Sequence, residues 1–120
     1  MKYMIMTFGD QASALEVHSR DWMRQMIGFM KSLNRELAAS GELVWAEGLV
    51  DPTQARTVRF EGGLPVATDG PFAESKESLA GYWIVDVESE ARAIEIASRI
   101  VAYVECPIEV RQVADAPPEL

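Results

Sequence analysis

The sequence predicts an α+β protein in which two helices cover one face of an antiparallel sheet. Three observations carry that prediction. Apolar residues recur with a helical period after Ser19 and again after Ser89, whereas the runs before, between and after them alternate or are apolar throughout, as strands are. Asp51-Pro52-Thr53, Glu61-Gly62-Gly63 and Asp69-Gly70-Pro71 break the middle of the chain into short extended pieces, because these residue types supply the backbone angles that turns need. The resulting order is strand, helix, several strands, helix, strand. That order matches a split βαβ, ferredoxin-like arrangement with an inserted hairpin.

The first strand is Lys2–Phe8, with Tyr3, Ile5 and Thr7 on one side and Met4, Met6 and Phe8 on the other. Apolar residues on both sides mark a central strand covered on two faces. Residues 9–17 read as a loop or irregular turn. Ser19 is placed to cap a helix that ends at Gly41, with Asp21 in its first turn and Trp22, Met26, Met30, Leu33 and Leu37 on one stripe. Residues 43–50 are extended, residues 56–61 alternate, and Glu61-Gly62-Gly63 turns the chain into a partner strand over residues 64–68. Residues 82–87, Tyr-Trp-Ile-Val-Asp-Val, are the strongest strand signal in the chain. A second helix runs from Ser89 to about Val104, with Ile94, Ala97, Val101 and Val104 as its expected buried stripe and Glu95–Arg99 as a surface pair. Pro107 stops it before a last strand at residues 108–113. Residues 1–113 thus form a single domain, and residues 114–120, with Pro117-Pro118, form a loosely held tail.

Composition narrows the function classes. Acidic residues outnumber basic ones 19 to 11, a formal charge of −8, which disfavours nucleic acid and anionic membrane surfaces as partners. No apolar run approaches the roughly 20 residues that cross a bilayer, and Gly9 and Asp10 interrupt the N-terminus too early for a signal peptide. Cys106 is the single cysteine, so a reducing cytoplasm is the expected compartment. With one His and one Cys, no zinc site of nitrogen and sulfur ligands is expected, and no phosphate-binding glycine motif or other cofactor signature occurs.

The segment Asp69-Gly70-Pro71-Phe72-Ala73-Glu74-Ser75-Lys76-Glu77, followed by residues 79–87, carries a specific likeness. It resembles the YCII-related (DGPF-domain) family of small bacterial proteins. The opening residues 1–6, the middle residues 36–50 and the closing residues 108–113 extend the likeness over most of the chain. The resemblance implies a homodimer whose two sheets pack face to face as a dimeric α/β barrel. The residue pattern points the same way: with the helices on one face, Met4, Met6, Tyr82 and Ile84 would leave the other face apolar and uncovered. The resemblance also implies a regulatory context linked to alternative sigma factors, for a family whose activity is largely unassigned. Some members carry a histidine on the first helix that is proposed to work with an aspartate. Here Met30 falls at about that place, and His18 is the sole histidine.

Asp69 is the candidate working group. It reads either as a proton acceptor in a pocket between sheet, first helix and the 68–77 loop, or as a side chain that ties down its own turn. Glu74, Lys76 and Glu77 either line a pocket entrance or form a solvated charged loop. Glu47, beside Gly48, sits at a sheet edge or faces a cavity, and Arg56 is the natural partner for one of these acids. Gly70, Pro71 and Phe72 complete the expected ligand pocket. The expectation is therefore a small-molecule-binding or regulatory accessory dimer, with an Asp69-dependent enzyme as the alternative.

Overall fold

The computed structural model describes residues 1–73 and 77–119, apart from the side chains of residues 11 and 12. Its elements run β1 (Lys2–Phe8), α1 (Gln11–Val17), α2 (Arg20–Ser40), β2 (Leu43–Gly48), a short 3-10 turn (Pro52–Gln54), β3 (Arg56–Glu61), β4 (Leu64–Asp69), β5 (Leu79–Asp86), α3 (Glu90–Val104) and β6 (Glu109–Gln112). The main sheet has the order β2-β5-β1-β6, with every neighbouring pair antiparallel, and β3 and β4 form a separate hairpin. α2 connects β1 to β2 with β5 between them, and α3 connects β5 to β6 with β1 between them. The two βαβ units are interleaved, so β1 and β5 are central.

The register Tyr3↔Val85 and Ile5↔Trp83 sets four large side chains on the helix-bearing face. Leu33 and Leu37 from α2, and Ala93, Ile96, Ala97 and Ile100 from α3, close over them, and all ten are buried. Each large aliphatic side chain so buried stabilises the fold by about 1.5–3 kcal/mol. The opposite face carries Met4 against Ile84 and Met6 against Tyr82, flanked by Trp45, which pairs with Ile84 and is 58% exposed. The buried residues of α2 and α3 all cluster with the Tyr3, Ile5, Trp83 and Val85 face instead.

Both long helices begin as expected. Ser19 Oγ accepts from the Trp22 amide at 3.0 Å, and Ser89 Oγ accepts from the Arg92 amide at 3.2 Å. Three expectations fail. Residues 11–17 form a helix, not a loop, because Asp10 caps it and accepts from the Ser13 amide at 2.6 Å. The stripe on α3 is rotated: Ala93, Ile96, Ala97 and Ile100 are buried, whereas Ile94 is 50% exposed and Val101 is also exposed. Small residues at 93 and 97 let the helix axis approach the sheet, which outweighs the larger hydrophobics one position along. Nor do Glu95 and Arg99 pair with each other. Glu95 meets Arg92 at 2.6 Å, and Arg99 reaches across to Glu36 at 2.9 Å.

Those cross-links tie the helix layer together. Arg92 grips Glu42 in a two-pronged pair, Nε to Oε2 and Nη2 to Oε1, both at 2.8 Å. The Arg92 hydrogen bonds hold the Glu42 carboxyl at about 2, well below its ordinary 4.5, against the opposing effect of burial. Because the folded value is depressed, this stabilisation is complete above the unfolded value and is lost as pH falls from about 4.5 toward 2. Glu42→Gln should therefore cost about 1–2 kcal/mol at pH 7. In urea titrations across the acid range, its difference from wild type should shrink as pH drops through that window.

Gly81 sits at the crossing of β1, β5 and β2, and a methyl group there would lie 3.0 Å from the Glu47 carbonyl oxygen and 3.4 Å from Gly48 Cα. Both are backbone atoms of β2, so relief requires moving the strand. Gly81→Ala should lower stability by about 1–3 kcal/mol, read from the denaturation midpoint.

Candidate functional site

α2 is longer than the sheet beneath it. Its 21 residues extend about 32 Å at about 1.5 Å per residue, against about 23 Å for the seven residues of β1 at about 3.3 Å each. The C-terminal half is pinned by Leu33 and Leu37, and the N-terminal half overhangs. Between that overhang and the sheet lies a cleft of about 1170 Å³. Trp22, Met23, Met26, Ile27 and Met30 form its helical wall. The ends of the main strands, at Thr7-Phe8, Ala46–Gly48 and Ala80–Trp83, form the opposite wall. α1 closes one end with Ser13, Ala14 and Val17, and residues 106–108 close another side.

The polar groups in the cleft are few. Trp83 Nε1 donates to Asn34 Oδ1 at 2.6 Å, which fixes the indole across the inner end. The His18 imidazole stacks on the Trp22 indole, with centroids 3.6 Å apart and planes 10° off parallel. Trp22 in turn leans on Tyr103, which stacks on Phe29, so the aromatic wall is braced from α3. Asp10, Glu47, Asp51 and Glu77 are the carboxylates among the described lining residues, and none of those residues is Lys or Arg. Asp10 and Asp51 are engaged with local backbone as caps, whereas Glu47 and Glu77 are exposed at the rim.

The residues anticipated as a pocket divide between two places. Glu47 and Glu77 line the cleft. Asp69, Arg56, Gly70, Pro71 and Phe72 lie instead at the base of the β3–β4 hairpin and outside the cleft lining. Asp69 is 92% exposed there and pairs with Arg56 Nε at 3.0 Å. Gly70 has φ of 97°, as the turn requires, and its amide donates to the Ala55 carbonyl at 2.9 Å. Thr57 Oγ1 donates to the Gly70 carbonyl at 2.8 Å. Glu74 and Lys76 lie outside the described residues. His18 lines the cleft, and so do Trp22, Met26 and Met30 from the apolar stripe of α2, of which Met30 also packs against the core. The overhang of a long helix past short strands was the signal for them.

The turn is thus held mainly by backbone and Thr57, not by the Asp69 carboxylate. Asp69→Asn should change stability by less than about 1 kcal/mol, as for an exposed ion pair. Thr57→Val, which removes a hydroxyl bonded to the turn, should cost about 1 kcal/mol, with urea midpoints comparing the two.

A protein of Rhizobium meliloti (strain 1021), itself uncharacterised, is 30% identical to this chain over 97 residues, covering 81% of this chain and 77% of the relative. The YCII-related domain matches residues 1–116. With that match spanning both the sheet that floors the cleft and the Asp69 turn, the chain belongs to the YCII-related family.

Proposed function

We propose that this protein is a small-molecule-binding accessory dimer, with its ligand seated between the α2 overhang and the sheet. The observation that carries this reading is the cleft itself. About 1170 Å³ of space walled by Trp22, Met26, Met30, Tyr82 and Trp83 is large enough for a metabolite-sized molecule and has the apolar character of ligand sites. Aromatic and thioether walls suit an apolar or aromatic body. Glu47 and Glu77 at the rim suit a hydrogen-bond-donating or cationic group on that body. A regulatory setting is compatible with a binder of this kind.

The protomer in this reading is ferredoxin-like and spans residues 1–113. It pairs with a second copy through the helix-free sheet face, where Met4, Met6, Ile84 and Trp45 offer an apolar surface, to give a dimeric α/β barrel. The exposed thiol of Cys106 suits a reducing, cytoplasmic setting. The enzymatic alternative needs the Asp69 carboxylate beside the ligand, whereas in the protomer it is turned to solvent against Arg56.

A thermal-shift screen of neutral aromatics and aromatic amines tests the assignment. Ligands that raise the melting temperature of wild type should bind Met26→Glu at least about tenfold more weakly, a loss of about 1.4 kcal/mol, because the substitution puts a charge in the apolar wall. Asp69→Asn should bind as wild type does. Undiminished binding by Met26→Glu removes the cleft from consideration, and loss of binding in Asp69→Asn returns the role to the turn.

A further inference from the structure

Asn34 is the single asparagine of the chain, and it stands at the inner end of the cleft. Along α2 the lining positions Met23, Ile27, Met30 and Asn34 recur every three or four residues, which is one face of a helix. Asn34 therefore ends that wall, beside the buried Leu33 and about one turn before Leu37. Trp83 Nε1 donates to Asn34 Oδ1 at 2.6 Å. An indole nitrogen donates and does not accept, so the carboxamide cannot be turned over. Its oxygen faces Trp83 and its NH2 group faces away. Among the described residues nothing accepts from that NH2 group. Nor is any side-chain nitrogen or oxygen in a half-buried residue among them sealed from solvent without a partner. The NH2 group thus opens on the space that Asn34 lines, the cleft itself. Other donors of the lining are committed or distant. Thr7 Oγ1 donates to the Gly81 carbonyl at 3.2 Å, and Ser13 Oγ donates to the Asp10 carboxylate at 3.1 Å. Trp22 lies about 18 Å back along α2, at about 1.5 Å per residue.

We propose that the cleft takes a neutral aromatic carbonyl compound, seated with its ring against Met30 and Trp83 and its carbonyl oxygen accepting from the Asn34 amide. This rests on the cleft reading above and names the chemistry of its inner end. A donor aimed into an apolar space selects for an acceptor. A ligand without one strips water from the NH2 group and leaves it unpaired, which costs more than an ordinary hydrogen bond gains. Charge then chooses among acceptors. The described lining holds Asp10, Glu47, Asp51 and Glu77 and neither Lys nor Arg. A carboxylate ligand would meet like charge across a medium that screens poorly, whereas a neutral carbonyl meets none. Asn34 is in this way a specificity-determining residue, and Trp83 is the residue that sets its pose.

NMR titration of the full chain with acetophenone, isopropenylbenzene and benzoate tests this. The first two share a planar shape and differ in a carbonyl oxygen against a methylene group. Acetophenone should bind wild type at least about fivefold tighter than isopropenylbenzene and should shift the Asn34 side-chain NH2 resonances, which no other asparagine overlaps. Asn34→Asp still offers an oxygen to Trp83 Nε1 but has no NH2 group, so the affinity ratio should fall to about one or below. Asn34→Leu, of similar volume, should lose the preference in the same way and serves if the added carboxylate disturbs the fold. Met26→Glu should weaken both compounds together. Equal binding of the two by wild type, with both weakened in Met26→Glu, means that the cleft reading stands and the Asn34 assignment is wrong. A preference for acetophenone that survives in the Asn34 variants puts the donor elsewhere and also overturns it. Benzoate binding more tightly than acetophenone overturns the neutral class. Binding of none of the three overturns the ligand class, while the broader screen above judges the cleft separately.

Discussion

The fold depends on how the β1–β5 pair is covered. Ile5 and Val85 are completely enclosed, and so are Leu33, Leu37, Ile96 and Ile100 from the helices above them. This packing is concentrated over the middle of the sheet, where α3 crosses with small residues at Ala93 and Ala97 and where α2 brings its C-terminal half down. Everything outside that patch is constrained less. The N-terminal half of α2, the far face of the sheet and the β3–β4 arm all carry apolar residues that the protomer itself does not bury. Apolar area left in water represents forgone stabilisation of about 25 cal/mol per Å², so these three surfaces contribute little to the protomer's own stability.

The cleft follows from that uneven coverage. A helix pinned at one end and free at the other leaves a wedge, and the wedge is kept open by braces on either side. His18, Trp22, Tyr103 and Phe29 form a continuous aromatic run linking α2 to α3, while the Trp83–Asn34 hydrogen bond sets the depth of the wedge. The ion pairs Arg92–Glu42 and Arg99–Glu36 lie at the opposite end of α2, where Arg99 also holds the Glu36 carboxyl below the usual carboxylate range. Charged pairing therefore locks the closed end, and aromatic stacking shapes the open one.

The DGPF segment has a structural role that is clear in the protomer. Gly70, Thr57 and Ala55 knit the base of the arm, and Asp69 and Arg56 add an exposed pair across the first rung. Beyond it, Glu77 lines the cleft and β5 begins at Leu79.

By itself, the sequence determined what depends on near neighbours along the chain. Helix starts at Ser19 and Ser89, the two-residue Gly62-Gly63 hairpin and the strand spans of β1 and β3 are all local matters of capping, turn geometry and alternation, and they appear where the residues place them. The apolar character of both sides of β1 and β5 was equally plain. What only the tertiary structure decided was orientation and distance. The face α3 presents was set by how closely Ala93 and Ala97 allow it to approach the sheet, not by the size of Ile94 or Val101. Trp22 and Met26 look like core on a helical wheel, and they become cleft wall because the sheet ends before the helix does. Asp69 sits at a turn in either case, but its distance from the cleft depends on which way the arm projects, and no pattern of neighbouring residues encodes that direction.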